Sequence, residues 1–196
     1  DRLTRAPREL GPVIAERLSA DVPWYVARNL LIVLDGLPQL PDGFSTTTLV
    51  GHTDVRVRRE AVKLALKIPA ERELALLGAL CDPVPRMVRL GLNAALEGCP
   101  PSAVQFVTRV AEDETQSSEL RVLAIKVLGR AANPGALQVL LRMVDGGRNW
   151  RGRPRLAARS LELVAALMAL ASGWAEDRQA RALLAPAAMS AGPHVR

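Results

Sequence analysis

Residues 117–145 contain two apolar stripes of helical spacing joined by a turn, and this pattern constrains the fold most. The first stripe follows the i, i+3, i+4, i+7, i+8 spacing of a helix face and consists of Leu120, Leu123, Ala124, Val127 and Leu128. The second follows the same spacing through Leu137, Leu140, Leu141 and Val144. Gly129 near the end of the first stripe and Asn133, Pro134 and Gly135 between the stripes are predicted to stop one helix and start the next. Two short helices cannot bury such stripes alone, so the unit predicts neighbours of the same kind.

The unit recurs along the chain in a shared register. Aligned first helices bring Arg28, Arg58, Arg89 and Arg121 into one position, at separations of 30, 31 and 32 residues, with Arg155 as a fifth candidate. We call these arginines the first-helix column. The sequence therefore predicts an all-α fold of about five helical hairpins, with almost no strand, in a single domain over residues 1–196.

Helix boundaries follow from capping residues and prolines. Asp21 is predicted to cap a helix with Pro23 in its first turn, while Asp54 and Asp82 start two later first helices. The other predicted helices cover residues 7–20, 44–51, 71–81, 102–112, 155–171 and 176–188.

Composition supports closely packed helices and gives no sign of a cofactor. Hydrophobic residues make up 49% of the chain and aromatics only 3%, which disfavours a β-sandwich or barrel. Cys81 and Cys99 stand apart from His52 and His194, so no metal-ligand spacing is present and no cofactor is predicted. Two cysteines in a chain with a large apolar core are typical of a reducing compartment, so we expect a cytoplasmic protein. The longest apolar run near the C-terminus is about half a membrane span, so no membrane binding is predicted.

The repeated residues resemble those of the HEAT-repeat family, in particular the short bacterial HEAT-like repeats also found in phycobilisome lyase subunits. The pairs Val57-Arg58, Val88-Arg89 and Leu120-Arg121 carry the resemblance, together with the aspartates at the helix starts. The resemblance implies an α-α superhelix, a HEAT-like solenoid whose second helices line the concave face. The chain begins without a partner for its first helix and ends on Val195-Arg196, so we expect a fragment of a longer protein.

By this resemblance the first-helix column is structural. Each arginine is expected to bond to acidic residues or carbonyl groups in the turns between repeats. Asp21, Asp54, Asp82 and Glu114 precede the four arginines in sequence. The alternative is a row of positive charge that follows the phosphates of a nucleic acid.

A second set of polar residues is the better candidate for binding. Residues 103–112 align with residues 136–145, which pairs glutamine with glutamine and arginine with arginine off the apolar stripes. We call this set the second-helix strip: Gln105, Arg109, Gln138, Arg142, Arg178 and Arg181. Arginine with glutamine suits carboxylates, phosphates or peptide backbone. The alternative is that this surface is merely solvated.

Residues 147–155 form a candidate anion-binding loop, named here the arginine loop, with Arg148, Trp150, Arg151 and Arg153. Guanidinium groups beside an indole suit nucleic-acid contacts. The alternative is that Trp150 folds back onto the helices.

These features predict a non-enzymatic scaffold or protein–protein interaction module, whose partner is a protein or peptide bound along the second helices. The net charge of +6 also allows nucleic acid. The alternative function is therefore a nucleic-acid-binding module similar to the HEAT-like alkylpurine DNA glycosylases. Such a site would need aromatic and acidic residues in one cleft. Trp174 with Asp177, or Trp24 and Tyr25 with Asp21, supply these residue types.

Overall fold

A computed structural model describes residues 10–148, 150–152 and 154–190, with only the backbone described at residues 154 and 186–190. This part of the chain contains ten α-helices: α1 (Leu10–Ser19), α2 (Trp24–Asp35), α3 (Val55–Ala65), α4 (Pro69–Leu80), α5 (Pro85–Glu97), α6 (Val104–Glu112), α7 (Ser118–Arg130), α8 (Pro134–Val144), α9 (Leu161–Gly173) and α10 (Arg178–Ser190). A 3₁₀ turn (Pro101–Ala103) precedes α6, and two short strands, β1 (Asp145–Arg148) and β2 (Pro154–Leu156), lie between α8 and α9. The predicted all-α character is confirmed. Contacts divide the chain into two compact units, Asp1–Met87 and Val88–Arg196.

The first unit has a core formed by the apolar faces of α1, α2 and α3. Its buried members come from positions three, four or seven apart within each helix, as expected for amphipathic helices: Ile14, Leu18, Ala27, Leu31, Leu34, Val57, Ala61 and Leu64.

The helix starts in this unit confirm one predicted cap and correct another. Asp54 caps α3, because its carboxylate accepts a hydrogen bond from the Arg56 backbone N–H at 2.9 Å. The side chain of Arg56 also bonds to this carboxylate, which lowers the pKa of Asp54 to about 2. The prediction for Asp21 is wrong: α2 begins at Trp24 without a side-chain cap, and the carbonyl of Pro23 accepts its first backbone bonds.

Residues 44–51 form turns instead of the predicted helix. The buried Thr46 donates from both its backbone N–H and its hydroxyl to the carboxylate of Glu71 in the first turn of α4. Although burial acts to raise the pKa of Glu71, hydrogen bonds from Thr46 and Ser45 hold it below its usual value. These hydrogen bonds to α4 therefore hold residues 44–51 in a loop.

The second unit confirms the hairpin of residues 117–145. The Ser117 hydroxyl caps α7, the Asn133 side chain caps α8 by accepting from the Gly135 N–H at 2.8 Å, and Pro134 is the first residue of α8. Helix α7 packs against α6 and α9, and α8 also packs against α9.

Helix α7 ends at Arg130, one residue after Gly129, so its predicted end near Gly129 is confirmed. Gly129 itself lies within the last turn of the helix. A Cβ atom at Gly129 would lie 2.6 Å from the Cβ of Ala169 on α9, and one at Gly173 would collide with the carbonyl oxygen of Gly129. These glycines therefore allow α7 and α9 to approach closely.

The predicted helix over residues 155–171 begins too early. Arg155 lies in β2, which pairs with β1 in an antiparallel hairpin, and α9 starts at Leu161 with Ser160 as its cap. Arg155 is therefore not a member of the first-helix column. Gly147 and Gly152 adopt positive φ values of 84° and 72°, a conformation that glycine adopts readily and that β-hairpins often need. The sequence analysis did not predict this hairpin.

The structural role expected for the first-helix column is confirmed for Arg58 and Arg121. Arg58 bonds to Asp82 at 2.9 Å and to the carbonyl of His52 at 2.9 Å. Arg121 lies 3.2 Å from Glu162 and donates to the Ala111 carbonyl at 3.3 Å.

The acidic partners follow their arginines in sequence and are not the residues predicted before them. Arg89 pairs with Glu119 at 2.7 Å, at an exposed position, whereas Arg28 donates to Asn29.

Candidate functional site

The second-helix strip is exposed on the second unit, as its spacing predicted. On α6, Gln105 and Arg109 are exposed while Val107 and Ala111 are buried. Helix α8 repeats this division, with Gln138 and Arg142 exposed and Leu137, Leu140 and Val144 buried. The guanidinium of Arg109 lies 5.6 Å from the ring centroid of Phe106, which orients it by a cation–π contact.

An acidic residue that the sequence analysis did not include modifies this strip. Glu112, at the end of α6, pairs with Arg142 across a distance of 2.8 Å. Both side chains are exposed, so the pair contributes little to stability and leaves Arg142 able to exchange partners.

Part of the strip lines a cavity of about 400 Å³ between α8, β1 and α10, called the polar cavity here. Its polar lining includes two residues of the strip and one of the arginine loop, and the full lining is Gln138, Leu141, Arg142, Asp145, Gly147, Arg148, Gln179, Ala182 and Leu183. The structure therefore brings two separately predicted groups together. Gln105 and Arg109 are not among the lining residues.

Helix α10 contributes a different face from the one predicted. Arg178 and Arg181 are exposed, but the α10 residues that line the polar cavity are Gln179, Ala182 and Leu183. Their i, i+3, i+4 spacing is the signal that could have identified them. The prediction favoured Arg178 and Arg181 for their charge alone.

Charge in the polar cavity is predominantly positive. The lining contains two arginines, Arg142 and Arg148, and one carboxylate, Asp145, and one oxygen of Asp145 accepts the Gly147 N–H at 2.8 Å. Arg148 also donates to the Gly152 carbonyl at 2.9 Å, a bond that holds its side chain across the hairpin. Two planar donors beside the amide of Gln138 match a carboxylate group.

The arginine loop presents its indole to solvent. Trp150 is 85% exposed, so it does not fold back onto the helices. The guanidinium of Arg151 lies 4.3 Å from its ring centroid. Arg153 lies outside the described residues.

Three of the residues considered for base excision, Asp177, Trp24 and Tyr25, make other contacts in the structure. Asp177 caps α10 through the N–H groups of Gln179 and Ala180, at 2.8 and 2.9 Å. In the first unit, Trp24 carries the guanidinium of Arg56 at 3.3 Å from its ring centroid, and Tyr25 meets Trp24 edge to face.

Within the described residues, no group of three or more His, Cys, Asp and Glu side chains is arranged to hold a metal ion. The helices of this part of the chain are all too short or too polar to cross a membrane.

Comparison with known proteins adds no family to this description. No protein-family model matches the chain, and no curated protein is significantly similar to it.

Proposed function

We propose that the protein is a non-enzymatic, HEAT-like interaction module that binds an acidic segment of a protein partner at the polar cavity. In this proposal the helical hairpins stack as in an α-α superhelix, and the partner lies along the second helices.

The repeated register supports the HEAT-like part of the proposal. Arg58 and Arg121 occupy the same position in their first helices, and each bonds to both a carboxylate and a backbone carbonyl. An equivalent role at equivalent positions is what repeated units require.

The observation that carries the binding part is the shared cavity of Gln138, Arg142 and Arg148. Arginine offers paired N–H donors that fit a carboxylate, and glutamine offers both a donor and an acceptor to peptide groups. Leu141 and Leu183 add an apolar wall for the aliphatic part of a bound side chain. The lining includes no nucleophile beside a general base, so we propose binding and no reaction.

A labelled peptide of alternating glutamate and alanine provides a direct probe, with binding followed by fluorescence anisotropy. Arg142→Glu combined with Arg148→Glu should weaken binding at least about tenfold, because both donors are lost and like charges are introduced. The matched control is Arg86→Glu with Arg159→Glu, two exposed arginines outside both the cavity lining and the second-helix strip, which makes the same charge change and should bind as the wild type does. Absence of wild-type binding, or equal losses in both variants, would refute the proposal.

A second candidate function is single-stranded nucleic-acid binding by the arginine loop. The exposed indole of Trp150 with the Arg151 guanidinium 4.3 Å from its centroid is a suitable stacking surface. Filter binding of single-stranded and duplex oligonucleotides at physiological salt tests it. This function is supported if the wild type retains the single strand on the filter and the Trp150→Ala variant does not. It is excluded if the wild type retains no oligonucleotide.

A further inference from the structure

The second unit also has a surface between α7 and α9, each of which is the first helix of its hairpin. It is a groove with a volume of about 780 Å³, called the apolar groove here. It has large apolar side chains exposed at its surface, with Leu161 69% and Met168 67% exposed. Val164 is exposed between them, and Val122 and Leu123 of α7 line the facing wall.

Helix α9 is apolar on two sides, which is why this groove exists. Leu163, Ala166 and Leu170 are buried on one side, while Leu161, Val164 and Met168 follow the i, i+3, i+7 spacing on the other. One apolar stripe suffices for a helix on a protein surface. The second stripe indicates that something covers it.

Helix α7 carries charges of opposite sign along the groove. Glu119, Val122 and Lys126 line it at i, i+3 and i+7, so an acidic and a basic residue flank an apolar centre at about 10 Å separation. Among the described residues, the Lys126 ammonium group has no ion pair and no hydrogen bond. Glu119 pairs with Arg89, but its side chain is largely exposed and can accept a second cation.

The two helices run side by side in the same direction. Near their starts the Ser118 hydroxyl donates to Glu162 at 2.9 Å, and near their ends Gly129 meets Ala169. Val122 and Val164 are therefore at about the same level along the groove.

We propose that the apolar groove is an isologous contact with a second copy of this chain, which runs antiparallel about a two-fold axis near Val122 and Val164. Reversal of direction places Glu119 beside Lys126 of the partner subunit, and the symmetry makes this pair twice. Leu161 likewise meets Met168 of the partner subunit, and the two Val164 side chains meet at the axis.

Charge complementarity argues for a second copy and not for an unrelated helix. Each copy has an acidic residue, Glu119, at one end of the groove and a basic residue, Lys126, at the other. When a second copy runs in the opposite direction, each acidic end faces a basic end, which is the self-complementarity that a two-fold contact requires.

The size of the surface sets the strength of the dimer. Two helices about 20 Å long and about 10 Å wide present an area on the order of 400 Å² per copy. The total of roughly 800 Å² is below the roughly 1,200 Å² of a stable interface, so we expect a weak, reversible dimer with a dissociation constant on the order of 10⁻⁵ M.

Sedimentation velocity over a range of micromolar to millimolar concentrations tests the proposal. The wild type should change from monomer to dimer, and Met168→Asp should weaken the dimer at least about tenfold by burying a charge. Leu74→Asp is the matched control, because Leu74 is exposed on α4 in the first unit and should leave the dimer unchanged. Circular dichroism confirms that each variant is folded.

A charge exchange tests the antiparallel arrangement itself. Glu119→Lys and Lys126→Glu should each weaken the dimer, and the double variant should restore it because both pairs re-form with reversed sign. Three results would overturn the proposal: a wild type that stays monomeric, a Met168→Asp variant that dimerises normally, and a double variant no stronger than the single ones. A monomer that instead captures a different protein through Met168 also overturns it.

Discussion

Arg58 on a first helix and Arg142 on a second helix lie in different environments. The side chain of Arg58 on α3 is 16% exposed and bonds to a carboxylate and to the carbonyls of His52 and Thr53. The side chain of Arg142 on α8 is 66% exposed and meets a single carboxylate at the surface. The difference teaches that the number of acceptors around the guanidinium, and not the residue type, separates a structural arginine from one available to a partner.

The two kinds of arginine should also differ in their contribution to the free energy of unfolding. A partly buried ion pair with further hydrogen bonds is costly to break, because its partner is left charged and away from water. An exposed pair contributes about 0–1 kcal/mol, since water replaces the lost partner.

Arg58→Ala should give the largest loss, about 2–3 kcal/mol in the free energy of unfolding, because the buried Asp82 carboxylate loses its cation. Urea denaturation measures this loss. Arg59→Ala on the same helix is the control, because Arg59 is exposed and its buried partner Glu60 keeps a 2.8 Å pair with Lys63. This substitution should change stability by no more than about 0.5 kcal/mol. Equal effects of the two substitutions would contradict the division.

Arg121→Ala should give an intermediate loss of about 1–2 kcal/mol, because its pair with Glu162 is partly exposed and its bond to the Ala111 carbonyl is longer. The same denaturation experiment ranks it against Arg58→Ala. A loss larger than that of Arg58→Ala would show that burial does not set the order.

Acid should weaken the Arg121–Glu162 contact in a predictable direction. The backbone N–H of Glu162 lowers the pKa of its carboxylate most, against the effect of burial, and hydrogen bonds from Ser118 and the charge of Arg121 lower it further. The stability that the Glu162 carboxylate contributes to the folded protein is complete above the ordinary glutamate pKa of about 4.3. It is lost as the pH falls through the lowered pKa of Glu162 in the folded state. Thermal unfolding of Glu162→Gln should therefore depend less on pH below about 4.3 than that of the wild type, and parallel curves would count against this.

Arg89→Ala should have the smallest effect, within about 0.5 kcal/mol, although Arg89 belongs to the first-helix column. Its pair with Glu119 is exposed on both sides, so it resembles the second-helix arginines in environment. A loss as large as that of Arg58→Ala would mean that position in the repeat matters more than exposure.

Local patterns in the sequence predicted most of the helices, and tertiary contacts explain the failures. Helices α7 and α8 have caps that their own residues supply, so their limits were readable from the chain. Residues 44–51 are fixed by Glu71, which lies 25 residues after Thr46 and leaves no trace in the local pattern. The close contact of Gly129 with Ala169 was also not predicted, because it depends on a second helix.

The candidate site was predictable to the same extent. Exposure of Gln138 and Arg142 followed from helical spacing. Arg148 reaches the same cavity only because of the β1–β2 hairpin, and Gln179 lines it only because of the way α10 packs. Helical periodicity in the sequence predicts neither of these contacts.

The most direct test of the central claim measures stability and peptide binding together in Arg58→Ala and Arg142→Glu. We predict that Arg58→Ala loses stability and keeps wild-type affinity for the glutamate–alanine peptide per folded molecule. We predict that Arg142→Glu keeps its stability and loses affinity. Loss of both properties in the same proportion in each variant, or wild-type affinity in Arg142→Glu, would contradict the division between structural and binding arginines.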